Sequence, residues 1–419
     1  MNGLGSTLQY DFADQEATFL QELEVHRART ANAELLLELP RTKSPKRSGR
    51  ILIGKRAIED LFPSWHELLR TASSAEFYHQ PEWFSALLPM LNDEDVLVYV
   101  EKLEEELSII VPLVRGNFTF AGIPLKSISL LHNGYSPYTD YIAGNDEEAC
   151  GVMNRMTGAL KDARIGWDLF YCPNISPHSH VERDMQGTPQ GLRVVQQKRV
   201  CDYFRTEPYE VTLKRFSTNF RGNLRKARNK LEELPNVRHE WHRDPEGLRQ
   251  AFPEFLQVEA SGWKWLEGSS ILQIPEARKF YENLIENFGP HGQCGIHLLK
   301  QENNILAGQF ALYQGSVCSL LKIGYDEAFS KLAPGNMLLE GLLKRHQGDD
   351  EIQEINLISG MEWHKNWKPL VMPISNYFQF NFNSRSLLAY SLYQGKKWTE
   401  SLAGGAKEEP VDEESAYSR

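Results

Sequence analysis

The sequence predicts an α/β fold made of two tandem units, each a mixed, mostly antiparallel sheet flanked by helices. Two β-rich pairs of segments are the main observation. Residues 95–101 and 107–116 are separated by an acidic turn, and residues 295–301 and 305–315 by a short turn around residues 302–304. Such pairs are typical of antiparallel hairpins. Helical patterns precede each hairpin, and a strand, a helix and another strand follow it, so the same order occurs twice.

The first unit is predicted over residues 50–200. Its first helix, at residues 58–69, has apolar residues at helical spacing, and Pro81 opens a second short helix. After the hairpin, the remaining predicted elements are strands at 127–134 and 138–144, a helix at 147–163 and a strand at 167–173.

The second unit is predicted over residues 201–402. It begins with a strongly basic helix at residues 216–234, whose apolar positions predict one buried side. The other predicted elements are a strand at 237–242, helices at 245–260 and 275–288, a strand at 316–326, a helix at 336–346 and strands at 354–360 and 376–382.

The two ends of the chain are predicted to be disordered. Residues 1–49 form a flexible segment that runs into RTKSPKRSGR at 41–50, which is basic and rich in Pro, Ser and Gly. Residues 403–419 form an acidic tail. Segments of this composition bury too little apolar surface to offset the entropy of ordering.

Composition excludes several functional classes. The 419 residues carry 46 Lys and Arg against 56 Asp and Glu, a net charge of −10, so no specific nucleic-acid binding is expected. No apolar run is long enough to span a bilayer, and no basic-then-apolar leader opens the sequence. The five cysteines are scattered and form no CxxC pair. We therefore expect a metal-free cytoplasmic protein without a transmembrane segment.

The turn SKLAPGNMLLEG, at residues 330–341, is the most informative local feature. A strand leads into a Pro-Gly pair that opens a helix, and Pro suits a helix first turn. The first N–H groups of a helix have no intrahelical partner, so they and the helix dipole favour an anion such as a diphosphate. By itself this junction also fits an ordinary capped turn.

Three stretches together resemble a known family. They are EASGWKWLEGSSIL at 259–272, LLKIGYDEAFSKLAPGNMLLEGLL at 320–343 and NLISGMEWHKNWKP at 356–369. In order and spacing they are similar to the BioF2-like, cellulose-biosynthesis-associated group of GNAT acyltransferases, which is related to the FemAB peptidyltransferases. The likeness covers roughly the last 200 residues, whereas the first half matches only in pattern.

The resemblance implies two tandem GNAT-like units, with acyl-CoA, by default acetyl-CoA, held by the second. Pantetheine would enter beside a splayed strand at residues 322–325. Two departures matter, because Ala333 replaces the family's Ser and Asn356 its Asp, and an amide cannot act as a base. The implied cofactor-binding residues are Lys322, Ile323, Gly324, Leu332, Ala333, Pro334, Gly335, Asn336 and Met337.

Acyl transfer from a thioester needs a positioned acceptor, a base and an acid. Titratable or polar residues in the same stretches are the catalytic candidates: Glu259, Tyr325, His364 and Lys365. Acceptor binding is assigned to Trp263 and Lys264, and in the first unit to Tyr138 and Asp140. Ordinary packing or surface roles remain open for each of these residues.

The predicted function is acyl-CoA-dependent N- or O-acyl transfer to a small-molecule or sugar acceptor of envelope-related metabolism. One alternative is aminoacyl transfer from charged tRNA, which the basic helix suggests. Another is a catalytically degenerate adaptor in a polysaccharide-biosynthesis assembly, which Asn356 and the acidic tail suggest. A homodimer or a biosynthetic-complex partner is compatible with each.

Overall fold

The computed structural model describes residues 46–72, 75–187 and 191–402. The predicted flexible segment up to residue 45 and the acidic tail from residue 403 lie outside the described residues. Within the described part, one sheet of thirteen strands carries helices on both faces. No helix in these ranges is long and apolar enough to cross a membrane.

The strands are numbered in chain order. They are β1 Arg47–Ile53, β2 Val96–Leu103, β3 Glu106–Phe120, β4 Ile123–Leu130, β5 Ile142–Ala143, β6 Leu169–Ile175, β7 Leu192–Arg205, β8 Val237–His242, β9 Cys294–Gln301, β10 Asn304–Gln314, β11 Val317–Tyr325, β12 Glu354–Asn356 and β13 Leu370–Phe380. The sheet order is β1-β2-β3-β4-β6-β13-β7-β12-β11-β10-β9-β8, with β5 paired to β3.

The described α-helices are likewise numbered in chain order. They are α1 Lys55–Glu59, α2 Phe62–Thr71, α3 Pro81–Leu87, α4 Asp146–Ala149, α5 Val152–Asp162, α6 His180–Gly187, α7 Tyr209–Arg215, α8 Thr218–Glu232, α9 Pro245–Glu259, α10 Trp263–Leu266, α11 Pro275–Phe288, α12 Pro334–Arg345 and α13 Ser384–Leu402. A short 3-10 segment at Glu327–Leu332 precedes α12, and another at Glu362–Trp367 precedes β13.

The sheet order confirms the predicted fold class and shows how the two halves join. In each half an antiparallel meander ends in a strand that pairs in parallel with the next one, β4 with β6 and β11 with β12. The following strands cross over, because β7 pairs with β12 of the second half while β13 pairs with β6 of the first. The halves therefore share one continuous sheet.

Several predicted boundaries need correction. The last residues of the expected flexible segment 1–49 lie in β1, whose Arg47–Ile53 pairs with β2, because backbone pairing does not require an apolar sequence. The predicted division between residues 200 and 201 falls inside β7. The predicted helix at 147–163 is two helices, interrupted at Gly151, which has a φ of 74°.

In the second half, helices pack on both faces of the sheet. Helices α9 and α11 pack on one face, where Phe255 and Phe280 share a buried cluster with Phe310 of β10. Helices α8 and α12 pack on the other face. Contacts such as Trp83–Phe280, with ring centroids 5.3 Å apart, join α3 of the first half to α11. The strands of the second half thus lie between two layers of packed helices.

Candidate active site

Strands β11 and β12 separate shortly after they begin to pair. Their parallel pairing covers only Val317–Glu354, Cys318–Ile355 and Ser319–Asn356. Beyond Ser319, β11 continues to Tyr325 while β12 ends at Asn356. Within the described ranges, no strand pairs with the edge of β11 that faces away from β10 beyond Ser319. The Ile323 and Tyr325 carbonyls accept hydrogen bonds from the Lys264 and Ser261 side chains, and the remaining backbone groups of the edge could pair with amide groups of a ligand.

A β-bulge lies at the point where the strands separate. Phe310 of β10 pairs with Lys322 and Ala311 pairs with Leu320, which leaves Leu321 as the extra residue. Leu321 joins the α9-side cluster, and the ammonium group of Lys322 lies 4.0 Å from Glu259 at the end of α9. The bulge thus directs two consecutive side chains toward α9.

Helix α12 opens at this strand edge with its first amides uncapped. Ala333 precedes it in the left-handed region, at φ 48° and ψ 50°, and no side chain caps the helix. Pro334 has no N–H, so Gly335 and Asn336 present the first free amides. The Asn336 side chain is turned away from that role, because its Oδ1 accepts the indole N–H of Trp367 at 3.0 Å.

One cavity of about 630 Å³ connects these features. Its wall includes the β11 edge from Leu320 to Tyr325, the start of α12 from Ala333 to Asn336, and residues 357–359 after β12. Of the predicted cofactor residues, Lys322, Ile323, Gly324, Ala333, Pro334, Gly335 and Asn336 line it. Leu332 is not among the lining residues, and Met337 lines a different cavity, of about 410 Å³, between α8 and α12.

Glu259 and two lysines form a charged cluster in the cavity wall. Glu259 is 0% exposed. Its Oε2 accepts the N–H of Ile271 at 2.9 Å, and its Oε1 lies 3.1 Å from Lys264 Nζ. Lys264 also donates to the Ile323 carbonyl, which ties α10 to β11.

Gly324 allows this cluster to form. A Cβ at this position would lie 2.6 Å from the Cα of Glu259, far inside contact distance. The close approach is between β11 and the end of α9. The predicted place of Gly324 beside the cofactor therefore has a second reason, which is to seat Glu259 against the strand.

On the opposite side of the cavity, His364 pairs with Asp202 of β7. Its Nδ1 lies 2.8 Å from the Asp202 carboxylate, and both side chains are buried. The Met361 N–H also points to this Nδ1, at 3.2 Å. Nε2 is the basic nitrogen only in the tautomer whose Nδ1–H donates to Asp202. Burial lowers the pKa of His364, and Asp202 opposes that effect. A neutral imidazole at the cavity wall is suited to accept a proton.

Asn356 is fixed in a hydrogen-bonded group behind the point of separation. The Tyr138 hydroxyl lies 3.0 Å from its Oδ1, and the Cys201 thiol lies 3.1 Å from the same atom. Burial raises the pKa of Tyr138 well above its ordinary value and that of Cys201 to about 11, so both stay protonated. The Asn356 amide oxygen therefore accepts structural hydrogen bonds from buried groups.

Other candidates lie away from the cavity. Asp140 is buried and accepts from His79 and from the N–H groups of His180 and Val181. Burial raises the pKa of Asp140, but these hydrogen bonds outweigh it and lower the pKa overall. Lys365 is exposed and pairs with Glu362. Neither residue lines the cavity, so the structure does not bring them to the site.

Tyr325 and Trp263 complete the candidates. Tyr325 lines the cavity but is 41% exposed at its mouth, near Gly335. The Trp263 side chain lies outside the described residues, although its backbone begins α10.

Two residues were not among the predicted site residues: Ser359, which lines the cavity, and Asp202 of β7, which does not line it but pairs with His364. The Asp202 N–H donates to Ser359 O, and its carbonyl accepts the Leu357 N–H, so β7 holds the segment that leads to His364. The only local signal for Asp202 was a carboxylate within an otherwise apolar and aromatic run, CDYF, at 201–204.

Comparison with known proteins identifies this part of the chain. Residues 218–368 match the family described as the acetyltransferase (GNAT) domain. This segment of the chain is therefore similar to GNAT acetyltransferase domains. The match covers the splayed strands, the α12 turn and the Glu259 cluster, and it supports an acyltransferase. No curated protein matches the chain in sequence.

Among solved structures, FemX extends the fold comparison over both halves. FemX aligns with a TM-score of 0.50 and 10% identity over 79% of this chain and 97% of FemX. L-PGS from Bacillus licheniformis gives 0.45 and 10% over 79% and 96%, and a tandem GNAT protein from the clavulanic acid biosynthesis pathway gives 0.42 and 8% over 79% and 98%. At these identities the FemX likeness shows the fold alone, and the finer BioF2-like grouping stays a prediction.

Proposed function

We propose that this protein transfers an acyl group from acyl-CoA, by default acetyl-CoA, to an amine or hydroxyl of a small-molecule or sugar acceptor in the cytoplasm. The observation that carries the proposal is the joining, in one cavity, of the unpaired β11 edge and the uncapped amides of α12. Pantetheine amides match the first feature, and a diphosphate matches the second.

The proposed position of the donor follows from this order along the chain. The diphosphate lies at Gly335 and Asn336, and pantetheine runs back along β11 from Tyr325 toward the bulge. The thioester then reaches the point where β11 and β12 separate, between Leu320 and Leu357. Backbone N–H groups at the bulge would stabilise the oxyanion that develops on the thioester carbonyl.

In the chemical step, the acceptor nitrogen or oxygen attacks the thioester carbon and the carbon–sulfur bond breaks. The acceptor proton passes to a base, and the CoA thiolate takes up a proton to leave as the thiol. We assign the base role to His364, held by Asp202, and the seating of the acceptor to Glu259 and Lys264. Tyr325 would contact the cofactor at the mouth of the cavity.

Isothermal titration with CoA and acetyl-CoA tests the core of the proposal. Ala333→Asp would place a carboxylate beside the free amides of α12 and repel the diphosphate, so we expect affinity for CoA to fall at least a hundredfold, about 2.7 kcal/mol. Ala333→Gly keeps the amides open at a left-handed position that glycine accepts, and it is the matched control. Absence of binding to the unmodified chain at millimolar CoA would refute the proposal.

Turnover separates this function from the adaptor alternative. Thiol release from acetyl-CoA, measured over a panel of amines and amino sugars, should show acceptor-dependent turnover. CoA binding without turnover on any acceptor would favour a degenerate adaptor in a biosynthetic assembly.

Aminoacyl transfer from charged tRNA is the second candidate, and one surface favours it. Helix α8 buries Phe220, Leu224 and Leu231 but exposes Arg221, Arg225 and Lys226. The same helix lies beside the α12 turn, because Lys230 Nζ donates to the carbonyl of Lys331. Filter binding of aminoacylated tRNA with a strong salt dependence would support this candidate, and its absence would remove it.

A further inference from the structure

Four charged side chains line the proposed acyl-transfer cavity apart from His364, and their positions differ. Glu259, Lys264 and Lys322 form one cluster where α9 meets β11. The fourth, Glu327, is exposed at the rim, where it lies against Gly262. The interior cluster therefore contains two ammonium groups and one carboxylate.

Glu259, the carboxylate of this interior cluster, lies closer to Lys264 than to Lys322. Glu259 Oε1 lies 3.1 Å from Lys264 Nζ, which also reaches the Ile323 carbonyl. The other oxygen, Oε2, accepts the Ile271 N–H. Lys264 is thus held in place by two partners of its own.

Lys322 is placed differently. Its Nζ lies 4.0 Å from Glu259 Oε1, at the limit of an ion pair, and its side chain is 27% exposed. Burial lowers the pKa of Lys322, and the neighbouring Lys264 ammonium adds to that effect, while Glu259 opposes it. An ammonium in such surroundings gains most from a further anion, because a second negative charge would offset the cost of its burial.

The Lys322 ammonium group lies away from the place that we propose for the phosphates of the donor. Lys322 is next to the bulge, two residues after Leu320, or about 7 Å along the strand from the point of separation. The uncapped α12 amides lie beyond Tyr325 at the other end of the same strand edge. An anion at Lys322 would consequently lie beside the reacting thioester, where the acceptor must be.

From this geometry we propose that Lys322 binds an anionic group of the acceptor, so that the acceptors are amines or alcohols that also carry a carboxylate or a phosphate. The inference rests on the proposed acyl transfer and names the substrate class of that site. A carboxylate and a phosphate offer the same oxyanion chemistry to a lysine. The nucleophile and the anionic group must be close together in the acceptor.

The test uses acceptor pairs that differ only in the anionic group, with thiol release from acetyl-CoA as the readout. Glycine is compared with glycinamide, L-alanine with L-alaninamide, and glucosamine 6-phosphate with glucosamine. For at least one pair we expect the full-length chain to show a KM at least tenfold lower for the anionic member. Preference for an amino acid or for the sugar phosphate distinguishes a carboxylate from a phosphate ligand.

Variants assign the preference to Lys322. Lys322→Gln should raise the KM of the anionic member at least tenfold, with the neutral member and the Kd of CoA within about twofold. Lys322→Arg, which keeps the charge, should recover most of the preference. Lys161→Gln, the same change on an exposed lysine of α5 that does not line the cavity, should leave all values unchanged.

Several results would overturn the inference about Lys322. One further result would instead overturn the proposed acyl-CoA function. Equal use of both members of every pair would exclude an acceptor anion site. A weaker Kd for CoA in Lys322→Gln, with acceptor KM unchanged, would assign Lys322 to the donor. If no acceptor turns over, calorimetry on the CoA-saturated chain replaces kinetics, and no preference for anionic members again refutes the inference. Failure of CoA itself to bind refutes the acyl-CoA function.

Discussion

The two halves of the molecule contain corresponding helices whose first N–H groups are capped in one half and uncapped in the other. In the first half, α5 lies between β4 and β6, as α12 lies between β11 and β12 in the second. The carboxylate of Asp184, from α6, accepts the N–H of Gly151 at 2.6 Å and that of Met153 at 2.8 Å. No side chain caps α12. A side-chain anion thus occupies in the first half the position that we propose for a diphosphate in the second.

The strands that precede these two helices also differ, in how far each extends beyond its parallel pairing. β4 ends at Leu130, directly after its parallel pairing with β6 at residues 127–129. β11 runs on from Leu320 to Tyr325 after its pairing with β12 has ended. Among the residues of the first half that the structure describes, β4 has no comparable extension and the amides at the start of α5 are capped by Asp184. This contrast is the reason why we propose donor binding in the second half and a supporting role for the first.

A histidine–aspartate pair occurs in each half and repeats this contrast. His79 Nε2 lies 3.3 Å from Asp140, and its Nδ1 accepts the N–H of Glu76, so both ring nitrogens are engaged. His364 pairs with Asp202 through Nδ1 and lines the cavity. In both halves a backbone N–H points to the histidine Nδ1, but of the two histidines only His364 lines the cavity.

The largest expected effect on stability comes from the internal cap of the first half. Asp184→Ala leaves two helix N–H groups in a buried region without their acceptor, and we expect a loss of about 2–3 kcal/mol in the free energy of unfolding. Urea denaturation measures it. Asp162→Ala, at the exposed end of the same helix, should change stability by no more than about 0.5 kcal/mol. The comparison between the halves fails if Asp184→Ala weakens CoA binding while leaving stability unchanged.

The second effect concerns the two histidines. If His364 is the base, His364→Gln should lower kcat at least tenfold, whereas His79→Gln should affect stability but not kcat. A base must be unprotonated, and the pKa of His364 is lowered by burial. The acidic fall in kcat should therefore occur at a lower pH than for an ordinary histidine. Steady-state rates across pH measure this limb, and its persistence in His364→Gln would exclude the assignment.

The smallest effect is expected at Lys365. Its side chain is 73% exposed and pairs with Glu362 outside the cavity. Lys365→Ala should change kcat/KM by less than about twofold, since an exposed ion pair contributes little. A tenfold loss would show that this segment moves onto the acceptor or the donor during the reaction, and it would restore the catalytic role first predicted for Lys365.

Much of the second half was predictable from contiguous residues. The hairpin of β9 and β10 and the Pro-Gly turn before α12 depend on local patterns, and the structure has them close to the expected positions. Strand β7 was missed because Leu192–Arg205 mixes charged, polar and apolar residues without a clear alternation. Its place in the middle of the sheet depends on β12 and β13, which lie far along the chain.

Local residue order is enough to place free helix amides after a strand, because Ala333-Pro334-Gly335 sets the local backbone and leaves α12 without a capping side chain. Which charges meet there depends on contacts between distant parts of the chain. Asp202 reaches His364 through the pairing of β7 with β12 and β13, and Lys322 reaches Glu259 through the bulge in β11. Backbone amides are a property of neighbouring residues, whereas the partner of a side chain is set by strands that pair across the whole sheet.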